Sequence, residues 1–114
     1  SMSHALGANK NLKLHHGTLN GVILPTILRF NHGYVGNKYE RIARAMGMPE
    51  STDLADYVER LSESIGLPKN LTEMGVTEDM IPWLSEHSAT DPSNATTPRL
   101  PTLTEWESLF LEAM

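Results

Sequence analysis

The sequence predicts an all-α domain, and three observations carry that reading. Apolar residues recur at spacings of three and four. No stretch alternates apolar and polar residues toward a hairpin turn. Seven prolines and eight glycines cut the chain into short segments, and no segment repeats another. With 114 residues and a mass of 12.7 kDa, residues 1–114 are expected to form a single helical domain around one modest core.

The elements follow in order. A short first helix is expected to break at Gly7 and the run Asn9-Lys10-Asn11. Leu19, Val22, Ile23, Leu24, Ile27, Leu28 and Phe30 then make a wide apolar face from about residue 17 to 30. Pro25 inside it removes one backbone donor. A kink is expected rather than an end, because the apolar pattern continues on both sides. Asn31, His32 and Gly33 form the stop. Lys38 to Met46 carries Tyr39, Ile42, Ala43 and Met46 at helical spacing, closed by Gly47 and Pro49. Leu54, Val58, Leu61 and Ile65 repeat at four, three and four, with Ser51 or Thr52 as the expected cap, Asp53 in the first turn and Gly66 at the C′ position. Thr77 suits an N-cap, with Glu78 and Asp79 near the positive end of the dipole. Met80, Ile81 and Leu84 form the buried face there, with Trp83 a further candidate. Ala89 to Pro101, rich in Thr, Ser, Asn and Pro, reads as loop. Thr102 and Glu105 fit a capping box ahead of the last stripe, Leu103, Trp106, Leu109 and Phe110. Met46, Met74 and Met80 read as core fillers, and Trp83 and Trp106 as packing anchors.

Composition excludes several function classes. The chain has no cysteine, so disulfides, thiolate zinc sites, iron–sulfur clusters and cysteine nucleophiles are out. No run approaches the ~20 apolar residues of a membrane span. Ser1 to Lys10 lacks the charged start and apolar stretch of a signal peptide, and a cytoplasmic location is the expectation. The net charge of −5 argues against a general nucleic-acid binder. Charge is also uneven. Through Arg44 there are six basic residues against one acidic, and from Ala45 onward three against thirteen. Four of the five histidines lie within the first 32 residues, which is where the chemistry concentrates.

His4 and His16 would stand roughly 18 Å apart on one continuous helix. A helix end, a return loop and a new helix start would instead allow the two imidazoles to approach one cleft. His16 then falls at the start of the Leu19 helix, where the positive end of the dipole favours a neutral ring, the form that ligates metals. Gly17 allows close backbone approach. From the residues alone, two readings stand for each. His16 is a ligand or a capping or loop histidine, and His4 is a cleft residue or a mobile terminal one. Two histidines do not fill a coordination sphere of four or more. His15 and His32 read as loop and stop residues, and His87 as a helix C-terminal residue. Arg29, Arg41 and Arg44 read as a solvated face, with a phosphate or a neighbouring domain as the alternative.

The stretch SHALGA followed by HHGTLNGVILPTILRFN resembles a segment of the iron-containing (group III) alcohol dehydrogenase family: His-x-x-Gly, a short loop, His-Gly, a polar pair, an apolar run with an internal Pro, then Arg-Phe-Asn. NKYERIARAMG, LTEMGVTEDMIPWL and NATTPRLPTLTEWESLFLEAM resemble later segments of that family in the same order. The resemblance implies the helical C-terminal, metal-binding domain of a dehydroquinate synthase-like fold. It further implies a chain that belongs after an N-terminal dinucleotide-binding domain.

In such a dehydrogenase, NAD or NADP accepts hydride from a small alcohol, giving an aldehyde or ketone, at a divalent metal that is commonly iron and sometimes zinc. One Asp and three His hold the metal. Only the last of these matches a residue here, His16, chosen over His15 because it directly precedes Gly17. The loop before it is about two residues longer than in many relatives. His4 matches the family's non-ligand histidine beside the metal, implied as a catalytic or cofactor-binding residue that relays a proton or positions the nicotinamide. The chain alone is expected to be inactive. It is also expected to self-associate through an uncovered apolar face. The competing reading is a free-standing helical interaction module that uses the basic start and acidic remainder to engage a partner.

Overall fold

A computed structural model describes all of residues 1–114 and contains six α-helices and no strand. They are α1 (Met2–Ala8), α2 (His16–Asn31), α3 (Lys38–Ala45), α4 (Leu54–Ser64), α5 (Ile81–Ala89) and α6 (Leu103–Ala113), with 3₁₀ turns at Glu78–Met80 and Pro92–Thr96. The all-α expectation is met. The core joins Met2, Ala5 and Leu6 of α1, Leu19, Val22 and Ile23 of α2, Ile81 and Leu84 of α5, and Trp106, Leu109, Phe110 and Ala113 of α6. Leu71 and Val76, from the segment between α4 and α5, fill its base. The same segment is stitched to the end of α6. Leu71 N–H donates to Ala113 O (2.8 Å) and Thr72 Oγ1 to Met114 O (2.9 Å).

The continuation of α2 through Pro25 and the capping box of α6 follow the sequence. α2 runs through Pro25 without interruption and ends at Asn31. Tyr39 reaches back to donate to the Leu28 carbonyl (3.0 Å), satisfying one of that helix's terminal acceptors, and burial pushes its phenol pKa up. Gly21 admits Leu67, since a Cβ there would lie 2.5 Å from the Leu67 Cδ1. The Thr102–Glu105 capping box is complete at α6. Arg99 lies over the rings of Phe30 (4.1 Å) and Tyr34 (4.9 Å) and pairs with Glu105, which pins the 89–101 connection to the end of α2.

Other expectations change. The cap of α4 is Asp53, which accepts from the Asp56 N–H, in place of Ser51 or Thr52. The Thr77 side chain makes no cap; a 3₁₀ turn leads into α5 instead. Ile81, Leu84, Ser85 and Ser88 define the inward face of α5, so Trp83 falls on the other side, 41% exposed, with its ring 3.8 Å from that of His87 and tilted by 32°. Ser85 and Ser88 on the inward face are fully buried. Met46, Leu61, Ile65 and Leu103 are exposed, Ile65 by 67%. Met74 and Met80 do pack against the core, and Trp106 is buried in it.

The exposure has a geometric cause. α3 and α4 flank α2 outside the main core, and no further layer covers them. The molecule measures 41 × 31 × 19 Å with a radius of gyration of 14.3 Å, against about 13 Å for a compact domain of this length. It exposes 6837 Å², where about 6,200 Å² is usual for this mass. Arg29 compensates on the surface by bridging α2 to Asp56 and Glu59 of α4 and Glu112 of α6, and the Glu59 hydrogen bond is the chief reason its pKa is raised. Such exposed pairs contribute at most about 1 kcal/mol each.

Leu6→Ala is expected to lower unfolding free energy in urea by about 2–5 kcal/mol. Ile65→Ala is expected to change it by no more than about 0.5 kcal/mol. Comparable losses at the two positions would contradict the core described here.

Candidate functional site

α1 presents Met2, Ala5 and Leu6 to the core, and that register turns His4 outward. The helix ends at Ala8, and the chain doubles back through Asn9–Leu12 and Lys13, which takes a positive φ of 47°. His15 is the N-cap residue of α2 with extended backbone, and His16 is its first helical residue. The return places the His4 and His16 rings 5.6 Å apart between centroids and 18° from parallel. The two imidazoles that sequence spacing alone would hold far apart are therefore stacked.

His16 is exposed, and its ring nitrogens make no hydrogen bond within the chain. His15 sits differently. Its Nδ1 lies 3.5 Å from Thr18 Oγ1, and its ring lies against Gly17, where a Cβ would meet Cε1 at 3.3 Å. The close approach at Gly17 is thus made by the neighbouring histidine. His32 is the C-cap of α2, 6.3 Å from the Tyr39 ring, and His87 faces Trp83. Neither joins His4 and His16. Arg29 and Arg44 are occupied by carboxylates of the chain itself, Arg44 by Glu50.

One residue at the site escaped the sequence reading. Asp91, the N-cap of the second 3₁₀ turn, places Oδ2 2.8 Å from His4 Nδ1. Its other oxygen, Oδ1, accepts from the Ser93 N–H (2.8 Å) and from the Ser93 hydroxyl. Ser93 in turn meets Ser1, whose backbone nitrogen lies 3.2 Å from Ser93 Oγ. Packing of α1 on α5 brings these parts together across 87 residues of sequence. An Asp followed two residues later by Ser marks an Asx-type turn, but nothing local in that signal points to His4. The Ser93 hydroxyl is the largest influence holding the Asp91 carboxyl well below the usual carboxylate range, with His4 and the Ser93 amide adding to it against the opposing effect of burial.

No group of three or more His, Asp or Glu side chains that could hold a metal forms within the chain. The site offers one unpaired histidine donor at a helix start, a second histidine stacked on it, and a carboxylate behind the second.

Comparison with known proteins supplies the context. The family model described as Fe-containing alcohol dehydrogenase family, C-terminal, matches residues 1–114. The chain is 36% identical over 121 residues to the 4-hydroxybutyrate dehydrogenase of Cupriavidus necator, covering 100% of this chain and 32% of that protein. It is 33% identical over 117 residues to the lactaldehyde reductase of Escherichia coli (strain K12), covering 96% and 30%. A crystal structure of 1,3-propanediol oxidoreductase superposes with a TM-score of 0.89 at 30% identity, over 99% of this chain and 31% of that one. The chain spans about a third of the length of these relatives.

Asp91 gives a pH prediction. Its folded value lies below its unfolded one, about 3.9, so the unfolded chain takes up the proton first as acid is added. The stability the ionised group contributes is complete above roughly pH 5 and is lost progressively below that. Asp91→Asn is expected to flatten the acid limb of thermal midpoint against pH; wild-type and variant curves that run parallel there would refute this.

Proposed function

The chain belongs to the Fe-containing alcohol dehydrogenase family, and from that premise we propose that it supplies the helical C-terminal part of a metal-dependent, NAD(P)-linked alcohol dehydrogenase. The observation that carries the proposal is the pair of stacked imidazoles at the start of α2. His16 there keeps its nitrogens free of intrachain partners.

The donor set fits a divalent cation as one ligand of several. A neutral imidazole suits iron or zinc, and the family's own description favours iron. The remaining ligands, together with the dinucleotide-binding domain, belong to the two-thirds of the relatives' length that this chain does not cover. When bound, the cation supplies Lewis acidity toward an alcohol oxygen, and the nicotinamide accepts the hydride.

The chain's own residues do the following. His16 offers a ring nitrogen from the first turn of a sixteen-residue helix, so its backbone is fixed by the packing of Leu19, Val22 and Ile23 beneath it. His4 stands beside it, its ring stacked on that of His16 at 5.6 Å. The ring is half exposed, open to a hydroxyl or a nicotinamide from solvent. The exposed Ile42, Met46, Leu61 and Ile65 supply the apolar area that a larger chain or an assembly covers. No helix is long and apolar enough to cross a membrane. The interaction-module reading gains nothing from the structure, because Arg29 and Arg44 of its basic part are already paired internally.

In the full-length gene product, His16→Ala is expected to abolish retention of the divalent metal through dialysis, and with it NAD(P)-linked alcohol oxidation. Full metal content in that variant would remove His16 from the ligand set. The 114-residue chain alone is expected to bind iron or zinc weakly and to oxidise no alcohol. A reading frame encoding only these residues would end the dehydrogenase reading. In light scattering, the isolated chain is expected to gain mass with concentration, and a strictly monomeric species at high concentration would show that its apolar area needs no cover.

A further inference from the structure

We infer that Asp91 is a positioning residue for His4: backed by Ser93, it fixes the imidazole as the Nδ1-protonated tautomer and leaves Nε2 as the free acceptor beside His16. The two oxygens of Asp91 have separate tasks. Oδ1 takes both donors of Ser93, its N–H at 2.8 Å and its hydroxyl, while Oδ2 takes only His4 Nδ1 at 2.8 Å. An ionised carboxylate accepts and never donates. The hydrogen of that bond therefore belongs to Nδ1, and in the neutral ring the lone pair belongs to Nε2.

The shelter of the two partners is unequal. The Asp91 side chain is 11% exposed and that of His4 56%. The carboxylate sits behind and the ring in front, as an orienting acid stands to a working histidine. The need for such a hold follows from α1. A helix of seven residues has little stability of its own, and a half-exposed ring on it is otherwise free to rotate. Asp91 adds a bond from another part of the fold, and the His16 ring lies nearly parallel at 5.6 Å. Ser93 makes Asp91 rigid in its turn, since the Asp91 oxygen that faces away from His4 is doubly held. On the dehydrogenase reading, on which this last step rests, Nε2 accepts a hydrogen bond from the hydroxyl of an alcohol in the cleft.

The geometry makes one substitution diagnostic. In Asp91→Asn the carbonyl oxygen can keep both Ser93 donors, and the amide nitrogen then faces His4 Nδ1. Two donors cannot share a bond, so Nδ1 must become the acceptor and Nε2 must carry the hydrogen. Long-range proton–nitrogen correlation spectra of the 15N-histidine-labelled chain, recorded at mildly alkaline pH with His4→Gln identifying the His4 signals by their loss, read the tautomer directly. Wild-type His4 is expected to be protonated on Nδ1, and Asp91→Asn to invert it to Nε2.

A wild-type ring protonated on Nε2 would overturn the inference. So would an uninverted ring in an Asp91→Asn chain that still melts cooperatively. Should that variant not fold, the wild-type tautomer decides alone. A merely structural Asp91 would change the melting temperature without inverting the tautomer. The measurement uses no metal, dinucleotide or alcohol, so a wrong dehydrogenase reading leaves its result standing, and a wrong tautomer leaves that reading untouched.

Discussion

Everything at the site depends on the burial of one side of a very short helix. α1 has too few residues to be stable by itself. It exists because Met2, Ala5 and Leu6 enter a core shared with α2, α5 and α6. That burial fixes the rotation of α1 about its axis, and the rotation decides that His4 faces out. The return through Lys13 then sets the start of α2, and so sets where His16 stands relative to His4. A site made of exposed polar side chains is held in register by apolar ones on the opposite face.

The helices themselves were legible in the sequence because the 3.6-residue period is local, and so were Gly66 beyond the end of α4 and the capping box at Thr102. What was not legible depended on neighbours. The periodic stripe Leu54–Val58–Leu61–Ile65 is a true helix signal, yet only its first turn is buried, because α4 lies along α2 outside the main core and nothing covers its outer face. Periodicity reports which face is apolar and is silent on whether anything lies against it. Trp83 illustrates the same gap: Ile81, Leu84, Ser85 and Ser88 take the inward face of α5, and its own hydrophobicity did not decide its side.

At the site, legibility divided the same way. His16 and His4 could be singled out because they flank a break in the chain and match a family pattern. Asp91 could not, because it lies 87 residues from its partner in a connection rich in turn formers. Local chemistry there explains the turn completely: Asp91 caps, Ser93 is capped, and no residual oddity advertises a second role. Only the fold reveals that one carboxylate oxygen is left over for a ring on another helix.

The stitch between Leu71 and Ala113 has a bearing on how the molecule is made. The partners that cover Leu6 are spread from Leu19 to Phe110, so the first helix emerges from the ribosome about a hundred residues ahead of the surface it packs against. At ordinary translation speeds that is a wait of roughly 5 to 20 s. Throughout it, the apolar sides of α1 and α2 lack the cover that α6 gives them. The far end of the chain, α6, is made last and completes that core.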